Sequence, residues 1–175
     1  MSSATKPGER RAQAIVAGLK RAGIDLVSTL PDAWLGDLIG EIETDPAMTL
    51  IRLTREDEGL GICAGAYLGG RRAALLAQNA GLLLSTNVLA GLAFHHQIPA
   101  LLMIANRGGP EDNQYYHAYK GRVTEPVLAA MGIPYHHVRG PEDFRLIDGA
   151  WQQSMLYRMP VVLLLSRNAL YDEGR

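Results

Sequence analysis

Thr54-Arg55-Glu56-Asp57-Glu58-Gly59-Leu60-Gly61-Ile62-Cys63-Ala64-Gly65-Ala66-Tyr67 follows directly on an apolar, strand-like run from Thr49 to Leu53. Three acids stand at the mouth of a predicted helix, where the macrodipole favours negative charge. The helix itself is built from Gly59, Gly61, Ala64, Gly65 and Ala66. Each interior glycine costs roughly 1 kcal/mol relative to alanine, so such a helix is useful where another backbone or a flat ring must come close. A strand, a polar turn and then a helix is how an open α/β sheet builds a ligand site beyond the carboxyl ends of its strands.

The same alternation continues on both sides. A helix is expected from about Glu9 to Ala22, where Ile15, Val16 and Leu19 recur at helical spacing and Gly23 supplies the stop. Strands are expected at Ile24 to Thr29, Thr49 to Leu53, Ala73 to Ala77, Ala100 to Ile104, Tyr135 to Val138 and Val161 to Leu165. Between them fall helices at Ala33 to Glu43, Glu56 to Leu68, Leu82 to His95, Thr124 to Met131 and Pro141 to Tyr157, with a polar loop from Asn106 to Lys120. Short apolar strands separated by helices imply a three-layer α/β/α domain around a six-stranded, mostly parallel sheet with right-handed crossovers. The loops at its carboxyl edge then begin at Leu30, Thr54, Gln78 and Ala105.

Bulk properties narrow the classes. The 175 residues suit one domain of ordinary size, over 9–170, with a flexible leader over 1–8 and a short tail over 171–175. Seventeen basic residues against 18 acidic leave a formal charge of -1, so no global field attracts nucleic acid or an anionic membrane. A single cysteine excludes an internal disulfide framework, and no long uncharged apolar run appears. A cytoplasmic setting is the expectation.

Five pieces occur in an order that resembles one known family: the Glu56 segment, Leu30-Pro31-Asp32, Gln78-Asn79-Ala80-Gly81-Leu82, Gly121-Arg122-Val123-Thr124, and Met131-Gly132-Ile133-Pro134-Tyr135. Over about residues 10 to 168 the chain resembles the pyrimidine-binding domain of thiamine diphosphate enzymes, in particular the sulfopyruvate and phosphonopyruvate decarboxylases. The resemblance implies a 2-oxo acid decarboxylase, in which a buried carboxyl group shares a proton with N1' of the cofactor. Burial raises a carboxyl pKa, which suits a group that shares a proton near neutral pH. The family's glutamate stands nine residues before a motif glycine, and Glu56 stands nine before Gly65; Glu58 remains the alternative. The three acids would also favour a helix start for purely local reasons.

By the same resemblance, Asp32 manages protons beside the reacting carbon, although it could equally be an N-cap. Gln78, Asn79 and Gly81 are implied at the cofactor, with Gln78 also near substrate, against a simple turn-forming role. The family's second glycine is replaced by Leu83. His117, Lys120 and Arg122 would suit a dianionic substrate, with His117 able to relay a proton; the competing reading is a solvent-facing or interfacial loop. His95-His96 and His136-His137 cannot chelate one ion as adjacent pairs, since neighbours on a helix or strand diverge. Cys63 reads as a small buried residue.

The resemblance also implies what another polypeptide supplies. Asp148-Gly149 lacks the preceding glycine of the family's Gly-Asp-Gly metal motif. The diphosphate and Mg2+ are therefore expected on a beta subunit, with the active site between the two chains. A carboligase working by the same chemistry, and a catalytically silent pairing module, are the competing readings.

Overall fold

A computed structural model describes residues 7–171. The anticipated leader and tail lie largely outside the described residues; of them, Pro7 and Gly8 open the first helix, and the Tyr171 hydroxyl donates to the Ala33 carbonyl at 2.5 Å.

The chain runs α1 (Pro7–Arg21), β1 (Leu26–Thr29), α2 (Gly36–Thr44), β2 (Thr49–Arg52), α3 (Glu56–Leu68), β3 (Ala73–Gln78), α4 (Asn79–Leu84), α5 (Thr86–Val88), β4 (Ala100–Ala105), α6 (Ala118–Ala130), β5 (Tyr135–Val138), α7 (Leu146–Tyr157), β6 (Pro160–Leu165) and α8 (Arg167–Leu170). The six strands form one sheet in the order β2-β1-β3-β4-β6-β5, and every pairing is parallel. The four central strands are buried on both faces, which is why they read as near-continuous apolar runs. Edge strands β2 and β5 keep exposed or half-buried positions.

Side chains alternate across the sheet and build two cores. On one face Val27, Leu76, Met103 and Leu163 meet Ile15 and Leu19 of α1, Leu38 of α2 and Trp151 of α7. On the other, Leu75, Leu102, Ile104 and Leu164 meet Leu60 of α3, Leu82 of α4 and Leu128 of α6. Burying this many branched side chains, at about 1.5–3 kcal/mol each, is what fixes the layers.

The order of the strands creates two crevices at the carboxyl edge. Between β1 and β3 the chain leaves toward opposite faces, into α2 and α4. Between β4 and β6 it does so again, into α6 and α8. Such reversals are where open α/β sheets admit ligands.

Several helices differ in detail from the sequence expectation. The predicted Leu82 to His95 helix starts earlier, at Asn79, and is broken into α4, α5 and a π-helical turn at Leu89–Phe94. The loop expected to reach Lys120 ends in a 3-10 turn, Tyr115–His117, and α6 starts at Ala118 despite Pro126 inside it. Among the described residues, no helix is long and apolar enough to cross a membrane.

Candidate active site

Glu56 is the first residue of α3, and it is 8% exposed. Its carboxylate has no hydrogen-bond or ion-pair partner among the described residues. Gly81 of α4 presses directly on it: a Cβ built on Gly81 would lie 2.3 Å from Glu56 Cγ and 2.6 Å from Oε1. Only glycine therefore leaves the carboxylate where it is. The neighbouring acids are used differently. Glu58 is exposed and accepts from the Thr54 hydroxyl at 2.9 Å and from the Thr54 and Arg55 N–H groups at 3.2 and 3.3 Å. These bonds hold its carboxyl below the usual range. Asp57 pairs with Arg55 at 2.8 Å. Two of the three acids thus serve the helix start, as the local reading anticipated, and Glu56 is the one turned inward.

Asp32 caps the 3-10 turn Ala33–Leu35, its Oδ1 accepting from Trp34 N–H at 2.9 Å. The same oxygen receives Arg107 Nη1 at 3.1 Å, so the N-cap reading holds and the carboxylate is ion-paired as well. Arg107 is 5% exposed, yet the sequence reading did not single it out. Its guanidinium lies 4.2 Å from the Trp34 ring, and its Nε donates to Asp112 Oδ2 at 2.8 Å. Asp112 in turn receives His117 Nδ1 at 2.8 Å and the N–H groups of Gly108 and Gln114 at 3.0 and 3.1 Å. Burial alone would raise the Asp112 carboxyl; the hydrogen bonds from Arg107, the two backbone N–H groups and His117 outweigh it and hold the group well below the carboxylate range. The result is a buried chain, Asp32–Arg107–Asp112–His117.

His117 is therefore buried in this network, at 4% exposure, in contrast to the solvent-facing alternative. With Nδ1 bound to Asp112, its Nε2 is the nitrogen left for proton transfer. The loop can fold back this far because two glycines meet. Gly108 has φ +88°, its added Cβ would sit 2.2 Å from the His117 carbonyl oxygen, and one on Gly121 would sit 2.7 Å from the Arg107 carbonyl oxygen.

Asn79 is fully buried and ties β3 to this loop, donating through Nδ2 to the Arg107 carbonyl at 2.9 Å and to Thr124 Oγ1 at 3.1 Å. Its Oδ1, like Gln78 Oε1 beside it, is a buried acceptor without a partner. Buried acceptors are rarely left unpaired without a reason. In the Gly121-Arg122-Val123-Thr124 motif, then, Gly121 and Thr124 hold structure. Arg122 is exposed on α6, and Lys120 is half-buried with Nζ 6.0 Å from the Tyr116 ring. Among the described residues neither cation pairs with a carboxylate.

Cys63, His95, His96 and His136 fall outside this cluster. Cys63 is buried, which pushes its thiol up to about 12 and leaves it unreactive. His136 bonds Gln153 at 2.7 Å, and the rings of His95 and His96 meet edge to face. No group of three metal-ligating side chains occurs among the described residues.

No family model matches the sequence. It is 36% identical over 162 residues to sulfopyruvate decarboxylase subunit alpha of Methanococcus maripaludis, covering 92% of this chain and 96% of that one. It is 38% identical over 165 residues to the same subunit of Methanocaldococcus jannaschii, covering 94% and 96%. Phosphonopyruvate decarboxylase of Streptomyces viridochromogenes is 32% identical over 91% of this chain, which spans 41% of that protein's length. A solved 2-oxoglutarate:ferredoxin oxidoreductase from Magnetococcus marinus superposes with a TM-score of 0.70 over 92% of this chain and 29% of its own, at 18% identity, and so shares the fold. At this identity, over nearly the full length of both partners, the chain belongs to the sulfopyruvate decarboxylase alpha-subunit family.

Proposed function

We propose that this chain is the alpha half of a two-subunit, thiamine diphosphate-dependent decarboxylase that converts sulfopyruvate to sulfoacetaldehyde and CO2. The observation that carries the reading is the unpartnered carboxylate of Glu56, a residue 8% exposed, under the bare backbone of Gly81, in a chain so close to the sulfopyruvate decarboxylase alpha subunits.

The residues present fit the cofactor's pyrimidine end. Glu56 would hold the proton shared with N1'. Gly81 leaves room beside that carboxylate, and Gln78 Oε1 and Asn79 Oδ1 are buried acceptors free to receive an amino group. When bound, thiamine diphosphate supplies a carbon nucleophile and an electron sink. The diphosphate and its Mg2+ need oxygen ligands, and these are assigned to a beta subunit.

The other residues act on substrate. Asp32 is held by Arg107 and by the Trp34 N–H, so its free lone pairs are fixed in direction. His117 offers Nε2 as the atom that gives or takes a proton, with Asp112 fixing its tautomer. Lys120 and Arg122 are the remaining cations close in sequence to this network and would face a dianionic substrate only where the partner chain closes over them. Phosphonopyruvate is the second substrate reading, favoured by the 32–35% identity to phosphonopyruvate decarboxylases.

The test is reconstitution with the beta subunit, Mg2+ and cofactor. Sulfoacetaldehyde release should fall by at least about 100-fold in Glu56→Gln, within the usual range for losing general acid–base help. Undiminished turnover in that variant would refute the assignment, and turnover without added cofactor would refute the reaction.

A further inference from the structure

We propose that the second crevice, between the carboxyl ends of β4 and β6, is a binding site for a small acid anion that carries a hydroxyl or ammonium group. The crevice holds a cavity of about 370 Å³, within the range of small-molecule sites. None of Glu56, Asp32, Gln78, Asn79 or His117 lines it.

Its position follows from topology rather than chance. At the β4–β6 junction α6 and α8 leave toward opposite faces, so the two loops part and leave a gap, as they do at the β1–β3 junction that holds Asp32 and Asn79. One sheet thus has two reversals, and the loop after β4, which carries Arg107, Asp112 and His117, runs between them.

The wall chemistry defines the occupant. Arg139, after β5, presents an exposed guanidinium with no carboxylate partner among the described residues, while Ser166 Oγ and Asn168 Nδ2 donate to its carbonyl at 3.0 and 2.8 Å and fix its backbone. Such a guanidinium takes a carboxylate or sulfonate bidentately. His137 stands beside it, with Nε2 3.5 Å from Glu125. Across the cavity Asn106 has a buried Oδ1 without a hydrogen-bond partner. An unpaired acceptor calls for a donor on the ligand, a hydroxyl or an amine. Glu111, also in the lining, accepts from the Arg167 N–H through Oε2 at 2.9 Å, and its negative charge suits an amine on the occupant. The Trp34 ring supplies the apolar wall, and its backbone N–H is the one that Asp32 accepts, so an occupant would touch the residue that helps to place Asp32.

Isothermal titration calorimetry on the full chain, without thiamine diphosphate, tests this independently of the decarboxylase reading. The probes are L-lactate and L-serine for carboxylates, isethionate and taurine for sulfonates, and pyruvate as an anion of lactate's shape without the donor. At least one hydroxy or amino acid should bind with a dissociation constant of about 1 mM or tighter. Pyruvate should bind about fivefold more weakly than lactate where lactate binds, as the loss of one hydrogen bond predicts. Arg139→Gln, a surface change that does not threaten folding, should weaken binding about tenfold or more, and Asn106→Leu should abolish the preference for lactate over pyruvate. No saturable heat with any probe, equal affinity for lactate and pyruvate, or affinities indifferent to both substitutions would overturn the proposal.

Discussion

Arg107 carries more of the site than any residue that the sequence made conspicuous. It is the counter-charge for both Asp32 and Asp112, whose side chains are 7% and 2% exposed. Removing one member of a buried ionic network leaves the others uncompensated, at a cost of about 3–5 kcal/mol. Arg107→Met, which keeps a flexible chain under Trp34, should therefore lower the melting temperature by on the order of 10 °C at pH 7. The pH dependence has a definite sign. Asp112 has its folded pKa below the ordinary 3.8, so its pairing contributes fully above that value and is lost as pH falls through the depressed folded value. The stability gap between wild type and Arg107→Met should thus be constant from pH 5 upward and shrink below about pH 4; a gap that widens on acidification would contradict the network. Arg107 was not legible beforehand because a lone arginine in a polar loop has no spacing signature. Only the fold brings Asp32 to it across 75 positions. That an acid from the first turn of α3 would stand at this edge of the sheet was legible from its place directly after β2. The choice between Glu56 and Glu58 was not legible, since it depends on which side of that turn faces Gly81.

The glycines of α3 separate into two kinds at the scale of the helix. Gly59 is buried; an added Cβ there would meet Leu75 and Leu53 methyls at 2.6 and 2.8 Å. Gly61 and Gly65 have nothing within 4 Å. Gly59→Ala should destabilise the isolated chain by about 1–3 kcal/mol through overpacking. Gly61→Ala and Gly65→Ala should each stabilise it by up to about 1 kcal/mol, because alanine is the better helix former. Chemical denaturation of the three variants checks this, and a loss of stability at Gly61 would show that the outer face of α3 is covered. Gly81→Ala is a different case, since the added methyl meets the flexible end of Glu56 rather than a packed core. It should leave the fold intact and raise the cofactor requirement of the reconstituted enzyme at least about tenfold. The strands were read closely from their apolar runs, because burial on both faces leaves an unmistakable pattern. The helices after β3 and β4 were not. Asn79 and Gly81 resemble turn residues, and Pro126 resembles a helix start, yet Asn79 is held by Thr124 across the layer and tertiary bonds override both local signals.

For the whole molecule, the proposed reading makes this fold one half of a site. Glu56, Asp32 and His117 all stand at one edge of the sheet, while Tyr115, Tyr116 and Tyr119 nearby are 88%, 54% and 73% exposed. Amphipathic rings exposed in this number around a cluster of buried charges fit a surface that a partner covers. The isolated chain should accordingly bind thiamine diphosphate weakly or not at all. Ligand that binds only the native assembly stabilises it by about 2.7 kcal/mol at a hundredfold excess over its dissociation constant. Thermal denaturation should therefore show no cofactor-dependent shift for this chain alone, a shift of several degrees once the beta subunit and Mg2+ are present, and loss of most of that shift in Glu56→Gln. Under the proposed reading the beta subunit would retain the diphosphate end in that variant, so a small residual shift is the expected remainder. A full shift in Glu56→Gln would mean that the pyrimidine end is held by other groups, and a full shift with this chain alone would mean that the site is complete without a partner.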